Sequence, residues 1–375
     1  MDVLTLVLFV LGIGLLIVGA EVLVRGASHL AVAFGISPLV VGLTVVSFAT
    51  SSPELAVSLQ SAFSGQADIA LGNVIGSNIF NVLIILGLAA IITPLVVSQQ
   101  LIRLDVPIMI GISFLMLLLG LDGRIGRLDG LLLTVGIITY ISFAIWQSRR
   151  ETAEVQEEYS KQATGRASQR GVAAIIKDIG MIIAGLAFLA LGSNWMVDGA
   201  VVIARFLGLS ELIIGLTIIA VGTSLPEVAA SVVAALRGQR DMAVGNAVGS
   251  NIFNILAILG ITGLVAPNGI NVPSAALNFD LPIMIAVAVA CLPIFFTNYS
   301  VDRWEGVLFV TYYIAYTIFI VLATTQHAAL PVFSGVMGMF VLPLTVVTLF
   351  VLSVRAFRTK QYAAAPPAEY AQSKD

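Results

Sequence analysis

The sequence carries one stretch twice, and no other feature constrains its fold as strongly. Residues 42–87 align with residues 215–260 at a constant offset of 173 positions, without a gap and with 26 identities in 46 positions. A match of this length identifies an internal duplication. Each copy sets an acid, a proline and several hydroxyl and amide side chains into otherwise apolar sequence, where polar groups cost the most free energy. Such residues indicate a functional site.

The composition assigns the chain to the membrane. Hydrophobic residues make up 59% of the sequence and charged residues only 10%, with a mean hydropathy of +1.04. These values are far from those of a soluble domain. The net charge of −3 offers no basic surface for nucleic acid, and the lone Cys291 excludes a disulfide within the chain or a thiolate metal site.

Apolar runs long enough to cross a membrane follow one another along the chain. The first run follows Asp2 instead of a basic residue and exceeds the usual length of a signal-peptide core, which favours a retained helix. The eleven predicted segments are 3–24, 37–63, 69–92, 104–120, 127–147, 174–198, 209–236, 242–266, 280–297, 303–323 and 330–354.

Lys and Arg residues are distributed unequally between the loops that these segments define. With the N-terminus outside, fifteen of the 18 fall in the cytoplasmic loops and tail, whereas Arg124, Arg127 and Arg205 fall outside. Positive residues accumulate on the cytoplasmic side of membrane proteins. We therefore expect a multi-pass protein of the cell (inner) membrane with its N-terminus outside and its C-terminus in the cytoplasm.

The duplication extends beyond the aligned stretch and defines two repeats of five helices each. Gly12, Gly19 and Gly26 recur at the same offset, and DVPIMI from Asp105 recurs as DLPIMI from Asp280. Because five is odd, the second repeat enters the membrane from the opposite side. The predicted fold is an all-α polytopic membrane protein with two inverted-topology five-helix repeats plus one extra C-terminal transmembrane helix. Its predicted parts are repeat one (1–147), a cytoplasmic linker (148–173), repeat two (174–323), an eleventh helix (324–355) and a disordered cytoplasmic tail (356–375).

Polar residues of the two copies fall on helix faces that can converge. Four residues of each second helix have the spacing i, i+3, i+4, i+7, and two residues of each third helix are one turn apart. The residues are Ser47, Thr50, Ser51 and Glu54, then Ser77 and Asn81, and in the second copy Ala220, Thr223, Ser224 and Glu227, then Ser250 and Asn254.

Prolines add backbone carbonyls to this set. Pro53 and Pro226 precede the two glutamates, and a proline inside a helix removes a backbone donor, so carbonyls near residues 47–50 and 220–223 are predicted to be free. Carboxylate, hydroxyl, amide and carbonyl oxygens without histidine or cysteine suit a hard cation such as Ca²⁺ or Na⁺.

These motifs resemble those of the sodium/calcium exchanger family within the cation/calcium exchanger superfamily, in its prokaryotic form. The family signature pairs G-T-S-x-P-E with G-N-x-x-G-S-N-x-x-N in each of two repeats. Here the pairs are ATSSPE with GNVIGSNIFN and GTSLPE with GNAVGSNIFN, and the resemblance covers about residues 3–323. Ala49 replaces the first glycine of the first motif. Asn254 stands where some relatives, potassium-dependent branches among them, have aspartate, which argues against potassium co-transport.

The resemblance implies a secondary active antiporter that exchanges Ca²⁺ for Na⁺ without a cofactor and is not an enzyme. It also implies that the twelve residues above are the ion ligands, with Ala220 able to contribute only its carbonyl. Two ionised carboxylates near the membrane midplane resist reorientation until cations neutralise them, so we expect alternating access only in the loaded or protonated site. The glycine-rich first and sixth helices are predicted to slide as a pair across the other eight.

Two other functions stay open at this stage. A proton-driven or potassium-dependent calcium antiporter could use the same two glutamates. An intramembrane hydrolase could use Ser51 or Ser224 as its nucleophile, but neither His29 nor His327 is placed to act as a base. The sequence leaves the oligomeric state open, a monomer included.

Other charged residues have structural interpretations. The acids Asp68, Asp241, Asp105 and Asp280 stand near helix starts, where N-caps are expected. Glu21 and Arg25 are four residues apart near the end of the first predicted helix, which predicts a local ion pair. Repeat two has Asn194 and Asp198 at the equivalent positions.

Overall fold

A computed structural model describes residues 3–148, 172–208, 214, 218, 220–296, 299–351 and 354. Nearly all of the predicted linker (148–173) and all of the predicted tail (356–375) lie outside the described residues. Part of the predicted segment 209–236 does so too.

The described chain is helical, and most of its helices are apolar and long enough to span a membrane. Within the described residues nine helices meet this criterion, and one bent pair forms a tenth span. The helices are α1 (Val3–Phe34), α2 (Pro38–Thr50), α3 (Ser52–Phe63), α4 (Ile69–Ile92), α5 (Leu101–Leu119), α6 (Arg127–Ser148), α7 (Val172–Phe206), α8 (Ala220–Gly222), α9 (Leu225–Leu236), α10 (Arg240–Val265), α11 (Ala276–Phe296), α12 (Arg303–Thr324) and α13 (Leu330–Val351). Under the duplication α1–α6 correspond in order to α7–α12, and α13 is the extra helix.

The first and sixth spans are longer than the sequence analysis predicts. Helix α1 continues ten residues past the predicted end at residue 24, and α7 covers Val172–Phe206 instead of 174–198. The predicted first segment ends at residue 24, just before the charged Arg25. Arg25 instead pairs with Glu21 one turn earlier, as predicted, and the helix runs on.

Helices α1 and α7 pack against each other in opposite directions. A Cβ placed on Gly12 would lie 2.8 Å from the Gly192 carbonyl oxygen, and one on Gly19 would lie 2.9 Å from that of Gly185. Small residues allow this close backbone approach. Gly19 follows Gly12 in α1, whereas its partner Gly185 precedes Gly192 in α7. The two equivalent helices are therefore antiparallel. The inverted-repeat prediction is therefore confirmed, and the predicted pairing of the first and sixth helices is observed.

Two short antiparallel strand pairs, absent from the prediction, tie the repeats together. Strand β1 (Leu95–Val96) pairs with β4 (Ser300–Val301), and β2 (Arg124–Ile125) pairs with β3 (Ile270–Asn271). Each pair joins a loop of one repeat to a loop of the other. Two-residue strands carry no periodicity that a sequence could reveal.

The predicted N-cap role of Asp105 and Asp280 is wrong. Asp105 lies in continuous helix without a side-chain capping bond, and it is 1% exposed. Its Oδ1 accepts a hydrogen bond from the Tyr140 hydroxyl at 3.0 Å, and its Oδ2 accepts one from Gln100 at 3.4 Å. The Tyr316 hydroxyl donates to Asp280 at 3.3 Å. Both acids therefore join neighbouring transmembrane helices.

Replacing Gly19 with alanine is expected to destabilise the α1–α7 pair. The new Cβ would lie 2.8 Å from the Leu189 backbone nitrogen, so the helices must separate, and overpacking of this kind costs about 1–3 kcal/mol. Urea unfolding in detergent, followed by tryptophan fluorescence, measures the loss. Gly14→Ala is the matched control, because a Cβ on Gly14 has no described atom within 4 Å. Equal unfolding free energies for the two variants would contradict the close packing.

Candidate cation-binding site

The second span of repeat one breaks at the residues expected to bind a cation. Helices α2 and α3 meet at an angle of 44°, and Ser51 between them has φ −81° and ψ 6°, outside helical geometry. Ser224 holds the same position between α8 and α9, with φ −92° and ψ 5°. Pro53 and Pro226 stand in the first turn after each break, where a proline fits because its missing N–H is not needed. The breaks turn Glu54 and Glu227 into the protein interior.

The freed carbonyls are not equivalent in the two repeats. Pro226 lacks the N–H that would bond the Gly222 carbonyl, but the Ser193 hydroxyl of α7 donates to that oxygen at 2.6 Å. The sequence prediction of a free carbonyl is therefore wrong for Gly222. The residue of α1 equivalent to Ser193 is Ala20, which cannot donate a hydrogen bond.

The two glutamates exchange hydrogen bonds with serines of the opposite repeat. The Ser51 hydroxyl donates to Glu227 Oε1 at 3.1 Å, and the Ser224 hydroxyl donates to Glu54 Oε1 at 3.1 Å. Each carboxylate is 1% exposed. Because each serine lies three residues before the glutamate of its own repeat, this exchange brings the two carboxylates into one site. Ser224 also contacts the Ser77 hydroxyl at 3.4 Å, which adds α4 to the cluster.

Asparagines on α4 and α10 form a second reciprocal arrangement. Asn81 Nδ2 donates to Asn251 Oδ1 at 3.1 Å, and Asn254 Nδ2 donates to Asn78 Oδ1 at 3.0 Å. The amides of Asn78 and Asn251 in turn approach methionine sulfurs, those of Met284 at 3.5 Å and Met109 at 3.4 Å. This chain of bonds fixes which atom of each amide faces the site.

Another pair of asparagines holds the broken helices in place. Asn73 Nδ2 donates to the Glu54 carbonyl at 3.2 Å and to the Ser58 hydroxyl at 3.1 Å. Asn246 does the same for the Glu227 carbonyl at 3.4 Å and for Ser231 at 2.9 Å. The predicted site residues do not include Asn73, Asn78, Asn246 or Asn251. Their recurrence at the offset of 173 was the signal that could have identified them.

Five buried oxygen atoms of the predicted ligands have no hydrogen-bond partner among the described residues. They are Glu54 Oε2, Glu227 Oε2, Asn81 Oδ1, Asn254 Oδ1 and Ser250 Oγ. Buried acceptors are nearly always satisfied, so such a set requires an explanation. Among the described residues, this site included, no group of three or more His, Cys, Asp or Glu side chains could hold a metal ion, so neutral oxygens would supply most of a cation's ligands here.

The other predicted ligands are placed less directly. Ser47 donates to the Gly42 carbonyl at 2.7 Å and the Asn246 carbonyl at 3.0 Å, while Thr50 donates to the Val46 carbonyl at 3.1 Å. The Ser47 hydroxyl is thus directed at backbone, whereas the Thr50 hydroxyl also contacts Asn246 Oδ1 at 3.4 Å. Thr50 also lines a cavity together with Thr223. Ala220 lies on α8, just before the break.

That cavity has a volume of about 500 Å³, and two of the predicted ligands, Thr50 and Thr223, line it. It starts at Thr50 and Thr223 and runs between α3 and α7 as far as Val57 and Asp198. Helices α3 and α7 end on the same side of the membrane. The route therefore leads toward the side on which Phe63 and Phe206 lie.

Comparison with known proteins decides the family. A family model described as "Sodium/calcium exchanger protein" matches residues 4–147 and 177–322, one match for each repeat. The chain belongs to the sodium/calcium exchanger family. The resemblance in the sequence motifs is thereby confirmed, and this exchanger is a membrane transporter and not an enzyme.

Several relatives align over most of the exchanger. The inner membrane protein YrbG of Escherichia coli K12 is 35% identical over 291 residues, which cover 76% of this chain and 87% of the relative. The sodium/calcium exchanger MaX1 of Methanosarcina acetivorans is 30% identical over 340 residues, covering 83% and 97%. Among solved structures, the sodium-calcium exchanger NCX_Mj, soaked with zero Na⁺ and Ca²⁺, superimposes with a TM-score of 0.71 at 30% identity, covering 84% and 98%.

Replacing Asn78 with alanine is expected to weaken Ca²⁺ binding without emptying the site of ligands. The Asn254 amide would lose the acceptor that keeps its Oδ1 facing the site, and a hydrogen bond of this kind is worth up to about tenfold in affinity. Isothermal titration of the purified protein with Ca²⁺ measures the change. Ser113→Ala is the control, because the buried Ser113 hydroxyl bonds only within its own helix. An unchanged affinity in Asn78→Ala would contradict the orienting role.

Proposed function

We propose that this exchanger moves Ca²⁺ in exchange for Na⁺ by alternating access to a single buried site. The observation that carries the proposal is the set of five buried oxygens, contributed by α3, α4, α9 and α10, that have no hydrogen-bond partner in the described part of the chain. Two of them belong to the glutamates and three are neutral, a set that suits a hard cation. The proposed ligands are the twelve residues of the sequence analysis, with Glu54 and Glu227 at the centre.

Neutralisation of charge explains how such a site would couple the two ions. An empty site with both glutamates ionised carries two negative charges, and each costs at least about 2.5–3.5 kcal/mol at the membrane centre. Bound Ca²⁺ or a set of Na⁺ ions removes that cost. The helices then reorient readily only when the site is loaded, so efflux of one ion requires influx of the other.

In this proposal the observed conformation is one end of the cycle. The cavity leads from Thr50 and Thr223 toward the side of Phe63 and Phe206, which supports access from that side. The asymmetry of Lys and Arg residues supports placing that side outside the cell, with the N-terminus outside and the C-terminus in the cytoplasm. Sliding of α1 and α7 together across the remaining helices would close this route and open the other.

Both glutamates are expected to be essential for exchange. Glu54→Gln or Glu227→Gln removes one of the two charges that a bound Ca²⁺ neutralises, so Ca²⁺ counterflow in proteoliposomes should fall at least about a hundredfold, the equivalent of losing one buried charged partner. Asp105→Asn is the matched control. It changes another buried membrane carboxylate, but one whose two oxygens are already bonded by Tyr140 and Gln100. Near-normal counterflow in either glutamate variant would refute the proposed site.

The driving ion is tested by comparing gradients in one preparation. Proteoliposomes loaded with Na⁺ should take up ⁴⁵Ca when diluted into sodium-free buffer, whereas an equal K⁺ gradient should not drive uptake, because Asn254 supplies an amide and not a third carboxylate. A pH step across the membrane is the comparison arm. Uptake driven by the pH step and not by Na⁺ would replace the sodium-coupled function with a proton-coupled one.

A further inference from the structure

The side of the membrane opposite the cavity carries an ion pair between the two repeats. Both nitrogens of the Arg237 guanidinium fork contact the Glu21 carboxylate, the Nε at 2.8 Å from Oε2 and the Nη2 at Oε1. Glu21 belongs to α1, and Arg237 caps the end of α9. A bidentate contact of this type fixes geometry as well as charge. It connects the predicted moving pair of helices to the rest of the bundle.

The position of this ion pair is defined by the inverted repeats. Phe34 and Leu236, the ends of α1 and α9, lie on one side of the membrane, and Phe63 and Phe206, the ends of α3 and α7, lie on the other. On the first side the ion pair holds α1 against α9. On the second side the equivalent helices, α7 and α3, are separated by the cavity.

The residues that would form the equivalent contact on the cavity side are uncharged. At the offset of 173, Glu21 corresponds to Asn194 and Arg237 corresponds to Ser64. The Ser64 hydroxyl donates to the Gln60 carbonyl of its own helix at 2.8 Å. If the repeats exchange conformations during transport, Asn194 and Ser64 would approach each other as Glu21 and Arg237 do now. That contact would lack an ionic attraction.

We propose that Glu21 and Arg237 form a one-sided gate, which closes the Phe34 side of the exchanger and biases it toward the conformation open at Phe63 and Phe206. The proposal rests on the alternating access of the proposed function. The Glu21–Arg237 contact must break when α1 moves relative to α9, and no ionic contact replaces it. Its loss therefore raises the population of the conformation open on the Phe34 side.

Arg25 provides an internal comparison for this role. Its guanidinium also contacts the Glu21 carboxylate, but both residues belong to α1. The Arg25–Glu21 pair moves as one body with α1, so it does not distinguish the two conformations. Only the contact that crosses from α1 to α9 can act as a gate.

Thiol labelling tests the gate without any ion gradient. Ala230 is buried and corresponds to Val57, which lines the cavity, so a cysteine at 230 should become accessible when the Phe34 side opens. In a Cys291→Ala background, which removes the one native cysteine, Ala230→Cys is labelled with a membrane-impermeant thiol reagent from the Phe34 side. Adding Glu21→Gln or Arg237→Gln should raise the labelling rate about two- to fivefold, because this factor corresponds to the free energy that an exposed ion pair contributes.

Controls separate the gate from a general loosening of the protein. The double variant Glu21→Gln with Arg237→Gln should label no faster than the faster single variant, because both changes remove the same contact. Arg25→Ala should leave the rate unchanged, although it removes the same charge beside the same carboxylate. Equal labelling of the parent and both single variants, or an equal rise in Arg25→Ala, would overturn the proposal.

The result is independent of whether the proposed ion exchange is correct. Unchanged labelling with normal sodium-driven ⁴⁵Ca uptake would refute the gate and leave the proposed function in place. Faster labelling in the two gate variants, with no sodium-driven uptake in the parent, would support the gate and refute the sodium coupling.

Discussion

Two carboxylates buried inside a membrane-spanning bundle are the constraint on which the rest of the structure depends. Glu54 and Glu227 are each 1% exposed, and each receives a side-chain hydroxyl bond on one oxygen. The second oxygen of each carboxylate has no partner among the described residues. A buried charge with so few donors is not stable by itself. The remaining stabilisation must come from a bound cation or a proton, and this requirement makes the site responsive to its cargo.

The helix breaks, the serine exchange and the asparagine pairs serve this constraint. A proline inside a continuous helix would clash with the preceding turn and leave a backbone carbonyl without its donor, so each helix breaks just before its proline. The breaks lie at Ser51 and Ser224, and Asn73 and Asn246 restrain the backbone that follows by bonding the carbonyl of each glutamate. Hydrogen bonds therefore hold the backbone around the site in place, although the negative charge of the two carboxylates is left uncompensated.

Duplication made most of the architecture predictable from the sequence. An exact offset and an odd helix count dictate inverted repeats, and the helical spacing of Ser51 and Glu54 on an apolar helix dictates a polar face. What the sequence could not show is which atoms of a polar side chain are already bonded. Ser47 and Glu54 belong to the same stripe, yet the Ser47 hydroxyl is directed at backbone carbonyls while one Glu54 oxygen has no partner among the described residues.

The incorrect predictions concern residues whose local sequence pattern indicates one role, although their surroundings include side chains from far along the chain. Asp105 before a proline has the pattern of an N-cap, but Tyr140, 35 residues later, supplies a stronger bond inside the bundle. A charged residue such as Arg25 usually indicates the edge of the membrane. Here the Glu21 carboxylate contacts both Arg25 and Arg237, so the charge of Arg25 is paired. Tyr140 and Arg237 lie far along the chain from the acids that they bind, so a rule that considers only neighbouring positions cannot identify either contact.

In the proposed site amides, and not further acids, accompany the two glutamates, and this composition would limit the charge of the transported ion. With Asn81 and Asn254 neutral, the site holds at most two negative charges, the charge that one Ca²⁺ balances. An acid at position 254 would add a third charge and would leave the Ca²⁺-loaded site as costly to reorient as a singly charged one. The amides still offer oxygen ligands, because Asn251 and Asn78 bind their nitrogens and leave Oδ1 of each facing inward. In this proposal the glutamates determine how much charge is carried, and the asparagines determine where the ion is held.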